Sequence, residues 1–294
     1  MSPVRRAYLE LHLAVLLFGI TAILGKVITL TALVLVWWRV LLTAGSLVPL
    51  VKIRAALRQI PPARLRRMAL IGSIIAVHWV TFYGAIKLSN ASVTLVCMAT
   101  TSFFAAFLEP WLLRAPLRKL EVGIGLLIIP GMALIVGTLP SDMWWGVVVG
   151  LTSALLAALF SILNKQIVDT ADTKTMTFIE MSAAWGFLSL VLPVVLWYAP
   201  DTVFWPSGAD IGYLAILVLF CTTLAFILSL RALHHISAFA ATLTVNLEPV
   251  YGILLAAVLL QEHQELTPGF YAGLGVILVA VFGYPALRAR QSAA

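Results

Sequence analysis

The chain has 294 residues, 62% of them hydrophobic and 11% charged, with a formal net charge of +7. Soluble domains hold about 45–50% apolar and about 25% charged residues, so most of this surface needs lipid as its solvent. The positive balance does not by itself call for nucleic acid, because where the charges sit decides their meaning.

Apolar stretches long enough to cross a hydrocarbon core, about 17–25 residues each, fall near residues 8–25, 31–51, 68–88, 92–113, 120–138, 143–164, 175–198, 210–230, 237–260 and 267–287. They lack the period-two alternation of barrel strands, so the expected fold is an all-α polytopic membrane protein with ten transmembrane helices. Cys97 and Cys221 lie far apart in apolar runs and read as small buried hydrophobes, not as a disulfide framework.

In the first stretch, Arg5 and Arg6 precede the apolar run Leu11–Leu24, which imitates a signal peptide. The run is long for that role and no small-residue cleavage site follows before Lys26, so a retained first span is expected. "GITAILGKV" (19–27) imitates a nucleotide-binding loop, but five residues separate its glycines and Val27 stands where Ser or Thr is needed. The second stretch carries Arg39. In the third, "HWVTFYGA" (78–85) puts His78, Trp79, Phe82 and Tyr83 on a helical face about 140° wide. Such a face either clasps an apolar or cationic solute or packs against neighbours and lipid. A mid-span histidine tips it towards a cavity, since the neutral ring both donates and accepts.

Thr100 and Thr101 in the fourth stretch add hydroxyls, and Glu109 precedes Pro110 near its end, five residues before Arg114. That glutamate reads as a snorkelling or locally paired charge. Gly146-x-x-x-Gly150 and Gly269-x-x-x-Gly273 are small-residue pairs that permit close helix contact. The seventh stretch carries Glu180 and Trp185, the eighth Thr222 and Thr223. His234-His235 lacks a metal-ligand set and reads as a loop pair, and there is no H-E-x-x-H; neither metal nor cofactor is expected.

The ninth stretch contains "TVNLEPVYG", with Asn246, Glu248 and Pro249 in an apolar run. A charge at the bilayer centre costs about 2.5–3.5 kcal/mol on insertion scales, so such groups face the protein interior or a wet cavity. Pro249 cannot donate to the carbonyl of Val245, which frees that group and bends the helix. Glu248 reads either as a coupling site, for a proton or a solute ammonium group, or as a gating and structural residue closing the gap beside the proline. Substrate-binding candidates are therefore His78, Trp79, Phe82, Tyr83, Thr100, Thr101, Trp185, Thr222, Thr223 and Asn246. Glu248 and Pro249 are candidates for coupling or gating. Arg39, Glu109 and Glu180 read as structural charges with local partners.

Ten spans divide into two fives, residues 1–140 and 141–294, and an odd number per half turns the second copy upside down in the membrane. "AIKLSNAS" (85–92) aligns with "ALHHISAF" (232–239) at a spacing of 147 residues, which pairs Glu248-Pro249 with Thr101-Ser102. Inverted repeats are a construction principle of secondary transporters. With "RVLLTAG" (39–45), "NLEPVYGILLAAVLLQE" (246–262) and glycine-rich fifth and tenth spans in this order, the chain resembles the EamA-type members of the drug/metabolite transporter superfamily. It is similar to their aromatic-amino-acid exporters. The resemblance implies an inverted 5+5 repeat around a central cavity lined by spans 1, 3, 4, 6, 8 and 9. The acidic residue common after span 4 in that family is replaced here by Ala115-Pro116.

With the N-terminus in the cytoplasm, Arg5, Arg6, Lys52, Arg64, Arg114, Lys165, Arg231 and Arg288 all fall at the inner side, and Asp142, Asp201, Asp210, Glu262 and Glu265 outside. This asymmetry orients a multi-pass protein of a bacterial inner membrane with both termini cytoplasmic. The absence of a nucleotide-binding domain excludes an ATP-driven pump, and nothing resembles a selectivity filter or an enzyme site. The expected function is export of small metabolites, foremost amino acids with aromatic or other apolar side chains, by a monomer in the lipid bilayer. The alternative is a multidrug or other small-metabolite carrier, with facilitated diffusion open beside proton coupling.

Overall fold

In the computed structural model, residues 2–293 are described except 115, 117, 118 and 246; the side chains at 56, 119, 121, 124, 238, 239, 242, 243 and 281–293 also lie outside the described set. Asn246, a predicted binding residue, is among those outside. The helices are α1 (Pro3–Val27), α2 (Ala32–Leu47), α3 (Ile53–Gln59), α4 (Pro62–Leu88), α5 (Ala91–Ala99), α6 (Thr101–Leu113) and α7 (Lys119–Val136). They continue with α8 (Trp144–Ile167), α9 (Thr173–Tyr198), α10 (Gly208–Val218), α11 (Ala225–Leu233), α12 (Ala238–Val245), α13 (Glu248–Leu255) and α14 (Pro268–Ala293). No strand occurs among the described residues. Helix is the form an apolar chain adopts in lipid, because each segment satisfies its own backbone groups. Seven helices among the described residues are long and apolar enough to cross a membrane, and three shorter apolar ones span Gly125–Val136, Glu248–Leu260 and Pro268–Ala280.

Local sequence explains the helix starts. Ser2 caps α1 through a bond from the Arg5 N–H, Asn90 caps α5 through the Val93 N–H, and Asp172 caps α9. Pro3 and Pro62 occupy first-turn positions, where a missing N–H costs nothing. Exposed Trp144, Trp145, Trp197 and Tyr198 gather at the ends of their helices, and exposed Trp205 lies in the connection between α9 and α10, as amphipathic rings do at a membrane–water boundary.

Helix α1 packs on α11, α12 and α13, and α8 packs on α4, α5 and α6. Helices α2 and α9 lie against each other; α2 also touches α4 and α10, and α9 touches α11 and α4. Helices α7 and α14 form a pair at the side, with backbones in reciprocal contact: a Cβ on Gly273 would lie 2.4 Å from the Gly131 carbonyl oxygen, and one on Gly131 would lie 2.9 Å from that of Gly273. The small-residue pairs of the sequence serve the same close packing. A Cβ on Gly146 would lie 2.6 Å from Ser89, one on Gly150 2.9 Å from Cys97, and one on Gly269 2.4 Å from Thr138.

The end of the bundle away from the N-terminus is closed by carboxylates on helix starts. Asp210, in the first turn of α10, accepts the Thr29 N–H at 2.9 Å and the Thr29 hydroxyl at 2.7 Å. Glu262 is buried and accepts the N–H of Ala91 at 3.0 Å, that of Ser92 at 2.9 Å and the Ser92 hydroxyl at 2.6 Å. A helix N-terminus is where an anion is best placed, since its first N–H groups lack intrahelical partners. Glu262→Ala strands two buried N–H groups there and is expected to cost at least about 3 kcal/mol, at about 1.5–3 kcal/mol per charged bond. Thermal melting in detergent reads this as a lowered midpoint.

Candidate functional site

Two long helical stretches break at matching places. The first breaks at Thr100, between α5 and α6, and the second just before Glu248, between α12 and α13, 147 residues apart in register. Hydroxyls serve the first break: Thr100 donates to the Cys97 carbonyl at 2.7 Å and Thr101 to that of Met98 at 2.6 Å. At the second, Glu248 and Pro249 open α13, where proline in the first turn sacrifices no bond. A third irregularity is the π-helical turn Leu219–Leu224 between α10 and α11, a form that recurs at functional sites.

The two helix breaks border a cavity lined by Thr101 at the first and by Val245 and Glu248 at the second, with Phe226 just past the π turn. It runs from the level of the breaks towards the end bearing the N-terminus, as its lining by Leu11 of α1, Asn164 of α8 and Leu233 of α11 indicates. Its walls are mostly apolar. His78, Phe160, Phe226 and Trp79 form a chain of ring contacts, with centroids 5.3, 6.4 and 6.2 Å apart in that order. Phe18, Phe82 and Met98 extend the apolar lining.

Polar groups enter at defined points. His78 Nδ1 lies 2.9 Å from the Ser153 carbonyl oxygen and 2.8 Å from its hydroxyl, which in turn reaches the His78 carbonyl at 3.0 Å. All three contacts are satisfied when Nδ1 carries the proton and the serine donates to the carbonyl, which leaves Nε2 as an acceptor. Arg39 is 1% exposed and its guanidinium carbon lies 3.7 Å from the centre of the Trp79 ring. Its Nε donates to the Thr222 hydroxyl at 2.7 Å and its Nη1 to the Tyr83 hydroxyl at 2.8 Å. Thr222 donates onward to the Leu217 carbonyl at 2.7 Å, across the π turn. Glu248, 6% exposed, lines the same cavity.

Of the predicted binding residues, His78, Trp79, Phe82 and Thr101 line the cavity together with Glu248. Tyr83 and Thr222 stand behind it and hold Arg39, and Thr100 caps the helix break. Thr223 shares a 3.0 Å hydrogen bond with Ser46. Trp185 is 37% exposed and belongs to a cluster with Trp37, ring centres 6.1 Å apart, away from the cavity. Pro249 is buried without lining it. Glu109 is half-buried on α6. Glu180 is fully buried on α9 beside Asn164, yet neither side chain makes a hydrogen bond of good geometry.

Sequence reasoning passed over Arg39 as a cavity residue, and also Phe160, Phe226, Asn164 and Ser229. The repeat spacing points to two of these. Trp79 and Phe226 are 147 residues apart, as are Phe82 and Ser229, Met98 and Val245, and Thr101 and Glu248, and all eight line the cavity. Asn164 and Ser229 carry buried polar atoms without hydrogen-bond partners, a lining suited to meeting a polar solute.

Residues 5–137 and, separately, 144–284 match the EamA-like transporter family. No curated protein matches the chain. A solved structure described as "Crystal structure of protein" is similar with a TM-score of 0.69 at 15% identity, covering 98% of this chain and 99% of that one, a likeness of fold.

Proposed function

The chain belongs to the EamA-like transporter family and is a membrane transporter of small solutes; on that premise we propose that it exports amino acids with aromatic or other apolar side chains by alternating access. The observation that carries this reading is the content of one cavity: an aromatic wall of Trp79, Phe160 and Phe226, with the guanidinium of Arg39 and the carboxyl of Glu248 set into it. A zwitterion with an apolar side chain needs those three features, since buried charges are tolerated only against opposite charge or hydrogen-bond partners.

Ten spans in an inverted 5+5 arrangement, divided at residues 140 and 141, are the architecture that goes with this function. The packing supports it. Exchanging the first five spans for the last five turns the contact of α8 with α4 into that of α1 with α11, and the contact of α4 with α9 into that of α2 with α10. With the termini on the cytoplasmic side of a bacterial inner membrane, as the lysine and arginine asymmetry favours, the cavity faces inward and the Glu262 and Asp210 contacts form the outer closure. A monomer holds the whole cavity. A multidrug or other small-metabolite carrier is the second reading, favoured by the share of apolar wall.

Proteoliposome counterflow tests the assignment. Preloaded L-phenylalanine is expected to drive uptake of labelled L-phenylalanine, with competition by tryptophan and leucine and little by aspartate or lysine. Absence of competition by every amino acid would remove the substrate assignment and leave the second reading. Repeating uptake with and without a pH gradient separates proton coupling from facilitated diffusion.

A further inference from the structure

Arg39 stands out among the cavity groups. The ion pairs among the described residues do not include it, although it is almost wholly removed from solvent. Its supports are the face of Trp79 and the hydroxyls of Thr222 and Tyr83. These neutral groups orient the cation without neutralising it. Among the described residues they take two of the five N–H groups a guanidinium carries, and the planar fork lies beside the cavity.

The mounting is stiff. Thr222 is held by the Leu217 carbonyl through the π turn, and the Tyr83 ring sits against Gly25 so closely that a Cβ there would lie 2.5 Å from two ring carbons. Trp79 covers one face of the guanidinium. A cation fixed on one edge and one face, with its planar fork beside the cavity, matches the geometry of a carboxylate, which takes two parallel N–H bonds. The carboxyl that shares the cavity, Glu248, lies at the start of α13, on the repeat opposite to the one that supplies Arg39.

We propose that Arg39, clamped by Trp79, Thr222 and Tyr83, is the subsite for a carboxylate of the transported solute. The inference builds on the carrier reading above and adds what the solute must contain: an anionic carboxylate next to an apolar body. Glu248 then takes the cationic end of a zwitterion, and solutes with an apolar body but no carboxylate bind poorly.

The test is binding to purified full-length protein in nanodiscs by isothermal titration, with four probes of similar apolar body: L-phenylalanine, L-phenylalaninamide, 2-phenylethylamine and 3-phenylpropanoate. L-phenylalanine is expected to bind at least about tenfold more tightly than its amide, which keeps the ammonium and the ring and loses only the carboxylate, the scale of one lost charged hydrogen bond, and 3-phenylpropanoate is expected to bind in a manner that depends on Arg39. Arg39→Gln is expected to erase that preference and bind acid and amide alike. If Arg39→Gln does not fold, Thr222→Val removes one clamp and narrows the preference while the charge remains. Equal binding of acid and amide by the unaltered protein overturns the proposal, as does failure of both carboxylates to bind or a preference unchanged in Arg39→Gln. The outcomes also separate the two readings. Binding of 3-phenylpropanoate through Arg39 without L-phenylalanine sinks the amino-acid assignment and keeps the subsite. Binding of L-phenylalanine no tighter than its amide does the reverse.

Discussion

Glu248→Gln is expected to cut the initial rate of solute flux in proteoliposomes by roughly ten- to a hundredfold, the equivalent of one charged hydrogen bond at about 1.5–3 kcal/mol, with the melting temperature little changed. Among the described residues Glu248 is the carboxyl that lines the cavity, and it stands at the break between α12 and α13. Glutamine keeps the volume, both polar atoms and the position before Pro249, so a side chain that merely bridges the bent helix is replaced without loss. A side chain that acts by its charge or its proton is not. Two measurements divide the active roles. If counterflow survives while accumulation driven by a pH gradient disappears, the carboxyl carries the proton. If both disappear, it holds the solute's cationic end, because exchange needs binding but no net proton movement. Normal rates in both assays return Glu248 to a structural role.

The sequence and the fold diverge in ways that follow from what a one-dimensional pattern contains. The break before Glu248 was legible, since Pro249 removes a donor in an apolar run. The matching break at Thr100 was not, because Pro110 lies ten residues on and the local residues are ordinary helix formers with hydroxyls. Hydrophobic periodicity yields a face of α4 and so reached His78, Trp79 and Phe82, but it does not say which neighbour closes the opposite wall. That neighbour is α11 with Phe226, reached only by carrying the repeat spacing across to the other half. Arg39 shows the complementary limit. One charged residue in an apolar stretch signals a partner or a cavity equally, and its clamp comes from α4 and the π turn, 40 to 183 residues away in sequence. Trp185 has a residue type suited to the site, but its helix turns it towards Trp37 and the outer surface.

Gly72→Leu is expected to abolish recovery of folded protein, and Gly72→Ala to lower the melting temperature, against the usual gain from replacing a helical glycine. Glycine in a helix interior costs about 0.5–1 kcal/mol relative to alanine, so the sign of the change reports local space. At Gly72 of α4, a Cβ would lie 2.2 Å from the backbone carbonyl oxygen of Glu180 and 3.1 Å from the Ala183 Cβ, both on α9. Backbone cannot rotate aside as a long side chain can, so the helices must separate, and overpacking costs about 1–3 kcal/mol even where a core adjusts. Gly186→Ala supplies the control, because it lies on the same α9 with nothing within 4 Å of its Cβ, and it should be neutral or slightly stabilising. The contact matters beyond stability, since α4 carries His78, Trp79 and Tyr83 and α9 carries the buried Glu180. Pushing α4 off α9 therefore shifts the aromatic wall and the Arg39 clamp together, and residual Gly72→Ala protein should bind solute more weakly as well as melt earlier. If Gly72→Ala instead matches Gly186→Ala in both measurements, α4 and α9 part readily, and their contact is one of the surfaces that slides when the cavity changes sides.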